Sequence, residues 1–353
     1  MSRALDKETA AAAQSDNMQT VYDDVVEAIC SSTSSDLIEI EILGKSHPLP
    51  PGCNVLVDGN NIGVPKATLV QAFTVARQIL FKYLCDMQER QQEIRNAAAV
   101  ILLMDPEHVT AANARKRVVQ TYQERPLSEL QTELARELWW VDSMLTARLH
   151  RHTKSPTLWG HRRWVLEVCH SLQMPHDIHR DLTSVVLIAA ERHPRNYYAW
   201  LHMRWLLQNL RPNASRTGNM PIRTETVFDN SKLISTITAW CLMHPADTAG
   251  FSFLLFCLFQ HPGVLIGRKS RMEVSSSICQ EVLDRAVSFK WTHESVWVFL
   301  RTLVAAGVAD EQRTAFFESI NTIRGARPGN SQAQTTLQAA HDWCLEYERR
   351  VPS

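Results

Sequence analysis

From about Leu69 onward, apolar residues recur at three- and four-residue spacing in segments of 12 to 18 residues. That is the period of a helix with a buried face. Short breaks separate the segments: Asp105-Pro106, Ser155-Pro156, Met174-Pro175, His193-Pro194 and His244-Pro245. Proline lacks an amide proton and disfavours helix at the residue before it, so each break ends one helix and admits another. Upstream, Leu37-Ile-Glu-Ile-Glu-Ile42 alternates apolar and acidic residues with the strand period of two. The pattern predicts an all-α protein with a disordered tail over 1–20, an N-terminal extension of open structure over 21–68, and a helical repeat domain over 69–323. A polar loop is expected at 211–223, a linker at 324–336 and a C-terminal helix at 337–353.

The helical region repeats. Trp159-Gly-His161-Arg-Arg163-Trp164 and Trp200-Leu-His202-Met-Arg204-Trp205 share all four positions of W-x-H-x-R-W. Weaker copies follow the same frame: Ala112-Asn-Ala114-Arg-Lys116, Phe251-x-Phe253-x-Leu255-Phe256 and Trp297-x-Phe299-x-Arg301. The anchors at 112, 159, 200, 251 and 297 are 47, 41, 51 and 46 residues apart, room for two helices and their turns. Trp159, Arg163 and Leu166 fall on one helix stripe, which predicts the guanidinium over the indole, a contact worth roughly 0.5–2 kcal/mol. His161 and Trp164, like His202 and Trp205, form a second stripe. Helices apolar on two sides stack between neighbours, as in a solenoid of hairpins. On that reading Trp159, Trp164, Trp200, Trp205 and Trp297, with His161, His202, Arg163, Arg204 and Arg301, are structural repeat residues.

Composition narrows the function. Lys+Arg and Asp+Glu both total 37, without the basic excess of a protein that binds nucleic acid by neutralising its backbone. No apolar run approaches the roughly 20 residues of a membrane span, and the N-terminus has no apolar core of a secretory signal. Eight cysteines without a CxxC read as free thiols, so a cytoplasmic location is expected. Asp58-Gly59-Asn60-Asn61 lacks the alternating carboxylates of a calcium loop and reads as a turn. His176-Asp-Ile-His179 has no third ligand and reads as a helix start, so no metal is expected on this chain. Gly-rich phosphate loops and G-x-S-x-G are absent from the sequence.

The W-x-H-x-R-W hairpins at 159 and 200, with degenerate copies over residues 90–310, resemble the repeats of protein prenyltransferase α subunits. The resemblance implies a right-handed superhelical solenoid curved around a separate β subunit. It implies that zinc, with magnesium as a second candidate, sits on that β subunit together with the isoprenoid cavity. The reaction implied is transfer of a geranylgeranyl (or farnesyl) group from its diphosphate to a C-terminal cysteine of acceptor proteins. A Rab-type β subunit is among the candidate partners. The family's lysine, five residues before the second repeat's Trp, is Lys154 here, which the resemblance makes catalytic; Ser155 and Pro156 replace the family's Asn-Tyr. In the third repeat Arg195, Asn196 and Tyr197 match a substrate or diphosphate site, and Tyr198 stands where a His is common. A second reading stays open: a helical-repeat adaptor that kept the architecture without the chemistry.

Overall fold

The alternation at 37–42 produces a strand, and the segment after it supplies two more that the sequence conceals. The computed structural model describes residues 17–30, 36–44, 46–210, 230–260, 268–308, 310–326 and 329–350. Most of the tail expected over 1–20, and all of the loop expected at 211–223, lie outside them. Helix α1 (Met18–Cys30) starts within the stretch read as tail. Strands β1 (Glu39–Leu43), β2 (Leu56–Asp58) and β3 (Asn61–Pro65) form a sheet in the order β1-β3-β2, with β1 parallel and β2 antiparallel to β3. The Gly59-Asn60 loop joins β2 to β3, and Gly59 takes the positive φ of 57° that the tight reversal requires. The central strand was missed because it contains Gly63 and ends on Pro65, both poor strand formers. A Cβ at Gly63 would lie 2.8 Å from Leu43 Cδ1, so a larger residue there would force the Leu43 side chain to move.

The chain divides into two compact units, Met1–His202 and Met203–Ser353. In the first, α2 (Lys66–Tyr83) and α3 (Gln91–Met104) pack with α1. Then come α4 (Val109–Gln120), α5 (Leu127–Thr146) and α6 (Pro156–Ser171). Helix α7 is composite: Ile178–Asp181, a π-helical turn Leu182–Val186, and Leu187–Arg192. The division falls within α8 (Tyr197–Asn209). The second unit holds α9 (Asn230–Met243), α10 (Thr248–Leu255, continued by a π-helical turn Phe256–Gln260), α11 (Arg268–Phe289), α12 (Glu294–Gly307), α13 (Asp310–Ala326) and α14 (Ser331–Arg350). Sequential helices pair from α1 to α6 and from α9 to α14, and alternate helices stack: α4 on α6 and α5 on α7 in the first unit, α10 on α12 on α14 and α9 on α11 on α13 in the second. Both units are therefore built as stacked helical hairpins. Among the described residues no helix is long and apolar enough to cross a membrane.

The repeat frame is set by helix caps. Four residues before each anchor stands the N-cap of the second helix of a hairpin: His108, Ser155, Asn196, Asp247 and His293. Four of these side chains accept the N–H three residues on, from Ala111 (3.2 Å), Leu158 (3.1 Å), Ala199 (3.2 Å) and Gly250 (2.9 Å). Each thereby satisfies a donor that the helix start leaves unpaired. Asn330 makes the same bond with Ala333 (2.9 Å) and opens α14. Residues 331–350 are thus the second helix of a sixth hairpin, not a helix that begins at 337, and most of the expected linker at 324–336 is helical. The sequence concealed this copy because Gln334 occupies its anchor.

The motif residues have separate jobs. Trp159 Nε1 donates to the carbonyl of Thr153 and Trp297 Nε1 to that of Trp291, both at 2.9 Å, so each indole closes the turn six residues before it. The predicted stacking of Arg163 on Trp159 is absent. Arg163 is half exposed and pairs with Glu167 at 3.0 Å. Cations four residues after the anchor instead reach the following hairpin: Lys116 lies over Trp164, Arg204 over Phe256 and Arg301 over Trp343. A side chain leaving one turn beyond the anchor meets the neighbouring helix sooner than its own indole, which is folded back on the preceding turn. The two motif histidines are opposites. His161 Nε2 donates to Glu137, because a carboxylate only accepts (2.6 Å). His202 Nε2 accepts from Arg162 Nη1, because a guanidinium only donates (2.7 Å).

Two arginines are buried, each three residues after its anchor. Arg115 binds both oxygens of Glu137 at 2.8 Å and lies 3.6 Å from the Trp140 ring centroid. Arg162 joins Asp142 (2.6 Å), Asp181 (2.7 Å) and His202. Burial alone would raise the Glu137 and Asp181 carboxyls, but the neighbouring guanidiniums and histidines outweigh it and hold both well below the usual range. Asp142 goes the other way, burial outweighing Arg162. Burial pushes the His152 imidazole down to about 4, and burial beside Arg162 holds His202 well below its usual value.

Arg162→Met leaves Asp142 and Asp181 buried without their counter-charge and is expected to cost about 3–5 kcal/mol, whereas Arg163→Ala, at a half-exposed position, is expected to cost clearly less. Urea unfolding of both variants checks the contrast, and equal losses would contradict it. Between pH 6.5 and about 4 the unfolded chain holds a proton on residue 152 that the folded chain does not. Stability therefore falls as pH falls through that window, by about 3 kcal/mol from this group. His202 adds to the loss, and Glu137 and Asp181 add to it below their ordinary range. His152→Gln is expected to flatten the slope between pH 6.5 and 4, read from urea midpoints across the window.

Candidate functional site

Three consecutive turns of the first unit carry the candidate chemistry, each built on one plan. In turns one and two, residues 105–108 and 152–155, the cap N–H donates to the carbonyl three residues back, at 3.1 and 3.0 Å. Turn three spans 193–196, with Pro194 as its second residue. Neighbouring turns are tied together. His152 Nε2 donates to Leu102 O (3.0 Å), Ser155 Oγ to Pro106 O (3.1 Å) and Arg151 to Asp105 (3.1 Å), linking turns one and two. Asn196 Nδ2 donates to Thr153 O (2.7 Å), linking turns two and three.

The residue just before each cap is then a repeated position. It is Glu107, Lys154, Arg195, Ala246 and Thr292 in successive copies, so turns two and three alone place a cation there. Lys154 and Arg195 are both exposed, and Lys154 forms no ion pair among the described residues. One hydrogen bond separates their backbones, since Thr153 precedes Lys154 and Asn196 follows Arg195. Arg195 has φ 61°, a left-handed conformation that costs a side-chain-bearing residue roughly 1–2 kcal/mol. Strain of this kind persists where its surroundings enforce it; here Pro194 and the buried Asn196 hold the turn.

The expected site residues separate into two groups. Lys154, Arg195, Tyr197 (62% exposed) and Tyr198 (38% exposed) lie on the surface, and the two tyrosine rings meet edge to face at 5.7 Å. Asn196 is buried, and its amide is committed to the protein: it donates to Thr153 O and Ala189 O (3.1 Å) and accepts from Ala199 N. Ser155, which departs from the family's Asn, does the same capping work one repeat earlier. The substitution preserves the turn.

Two residues overlooked in the sequence join the cluster. His150 Nε2 and His193 Nδ1 lie 2.9 Å apart, with the rings edge to face. Partial burial, then the positive neighbours His150 and Lys154, push the His193 imidazole down, which favours its neutral form. His193 was legible only as a helix breaker, and its partner is 43 residues away. The assembly presents an ammonium, a guanidinium, two phenols and an imidazole pair, a set suited to holding an anion. His176 pairs with Asp181 at 2.7 Å, and Asp177 caps α7 through the N–H groups of His179 and Arg180. Among the described residues no group of three or more His, Cys, Asp or Glu is placed to hold a metal ion.

A family model described as the ECM9 middle domain matches residues 158–262, a stretch that takes in Arg195 to Tyr198 and the anchors at 159, 200 and 251 but begins after Lys154. Over 186 residues the chain is 29% identical to protein prenyltransferase alpha subunit repeat-containing protein 1-B of Xenopus laevis. That alignment takes in 48% of this chain and 37% of the relative, so the chain spans little more than a third of the relative's length.

Proposed function

We propose that this chain is the α-type subunit of a heterodimeric protein prenyltransferase, a right-handed superhelical solenoid of hairpins acting beside a β subunit in the cytoplasm. The observation that carries the reading is the recurrence of a cation immediately before the cap in two turns joined by one hydrogen bond, Lys154 and Arg195. The likeness to a prenyltransferase alpha subunit repeat-containing protein supports it. The reaction is transfer of a geranylgeranyl (or farnesyl) group from its diphosphate to a cysteine near the C-terminus of an acceptor protein.

In that reaction the difficult element is negative charge growing on the departing diphosphate. Lys154 and Arg195 meet that charge as preorganised cations, held by capped turns rather than by mobile loops. Tyr197 and Tyr198 donate hydrogen bonds to the same oxygens or to the acceptor peptide. Asn196 positions the turn and touches no substrate. When bound on the β subunit, zinc holds the acceptor sulfur as thiolate; magnesium beside the diphosphate is the second candidate ion there. The adaptor reading is favoured by a specific observation: the amide of Asn196 is fully consumed by capping. In that case the same turns dock an acidic protein segment.

Co-expression with each candidate β subunit, the Rab-type included, and capture through a tag on this chain tests the proposal. The captured pair is expected to transfer labelled geranylgeranyl or farnesyl from its diphosphate to cysteine-ending proteins. Lys154→Ala is expected to lower kcat about 100-fold with the heterodimer intact. A stable pair without transfer would favour the adaptor, and failure to capture any β subunit would defeat the enzyme reading.

A further inference from the structure

The N-terminal sheet reaches the chain that leads into turns two and three. β1 lies along α5, where Ile38 N donates to Ser143 Oγ (3.2 Å) and Trp139 Nε1 donates to Asp36 O (2.9 Å). Those bonds deliver Glu39 to the gap between turns two and three. Its Oε1 accepts the backbone N–H of Arg148 at 3.1 Å and faces Arg148 Nε at 3.7 Å. Its Oε2 accepts from Arg192 Nη2. Arg148 leads into turn two, and Arg192 is the last residue of α7 before turn three. One carboxylate, 109 and 153 residues away in sequence, thus holds the approaches to both turns.

We infer that Glu39 is a positioning residue for the Lys154–Arg195 site, clamping turn two to turn three from outside while Asn196 clamps them from within. This rests on the anion-binding reading proposed above. The charge distribution agrees. Five cations crowd these turns, Arg148, Arg151, Lys154, Arg192 and Arg195. Glu39 engages Arg148 and Arg192, and Asp105 engages Arg151. The two carboxylates offset part of the charge of the flanking arginines, and the cluster around Lys154 and Arg195 stays net positive. The N-terminal segment is then a working part of the site.

Simple electrostatics and positioning predict opposite signs for removing Glu39. Deleting a carboxylate beside an anion site strengthens anion binding if charge alone matters. Loss of a clamp weakens it. The test is calorimetric titration of the full chain with inorganic diphosphate, using the wild type, Glu39→Ala, Glu39→Gln and Lys154→Ala, with hydrogen exchange followed in parallel. Glu39→Ala is expected to bind diphosphate about tenfold more weakly, and to exchange faster at 148–155 and 192–198 than at α2. Glu39→Gln keeps an oxygen for the Arg148 N–H and is expected to fall between the two; it also serves if the alanine variant folds poorly. Equal or tighter binding by Glu39→Ala overturns the inference, and if Lys154→Ala still abolishes binding, the site reading stands without it. Absence of diphosphate binding by the wild type overturns both.

Discussion

The buried carbonyl of Thr153 accepts two hydrogen bonds, from Trp159 Nε1 at 2.9 Å and from Asn196 Nδ2 at 2.7 Å. Much of what surrounds the candidate site depends on that node. The first bond makes the anchor indole close its own turn, so the Trp is a donor as well as packing material. The second joins that turn to the next one. A buried N–H left unpaired costs about 1–3 kcal/mol, so both donors are held firmly, and the residues beside them are fixed in turn. Lys154 and Arg195 inherit their placement from neighbours that are themselves buried.

Beneath the turns, the first unit is organised around charges withdrawn from water. Arg115 with Glu137, and Arg162 with Asp142 and Asp181, are buried pairs whose desolvation is offset only because nearly every polar contact is made. Such pairs add little net stability, but they tolerate one arrangement, and so fix which helix faces which. Identical motifs can then take opposite roles. His161 donates to a carboxylate and His202 accepts from a guanidinium, because the partner brought to each by the neighbouring helix differs. In the second unit aromatic pairs span neighbouring helices, Phe251 on Phe299 and Trp297 on Phe316.

The candidate site was partly legible. Lys154 and Arg195 were named through the family resemblance, and both stand five residues before their anchors. Asn196 was in frame, and its sequence position marks equally a helix cap and a ligand contact; the structure shows the cap. Burial alone distinguishes the two. Glu39 and His150 left no trace in the pattern, because their partners lie 43 to 153 residues away. The sixth hairpin escaped for a local reason, a Gln at the anchor, although Asn330 carried the capping signal.

Helical periodicity, proline breaks and the W-x-H-x-R-W recurrence by themselves determined that the chain is helical, where most hairpins turn, and which positions repeat. Those properties are local: they follow from backbone preference and from the spacing of side chains along one helix. The tertiary structure alone decided that Arg162 is buried and Arg163 exposed, that the two motif histidines differ in role, and that an N-terminal strand meets the chain just before turns two and three. Each of these depends on which distant group fills the adjacent space, and a buried charge or donor takes its state from that partner.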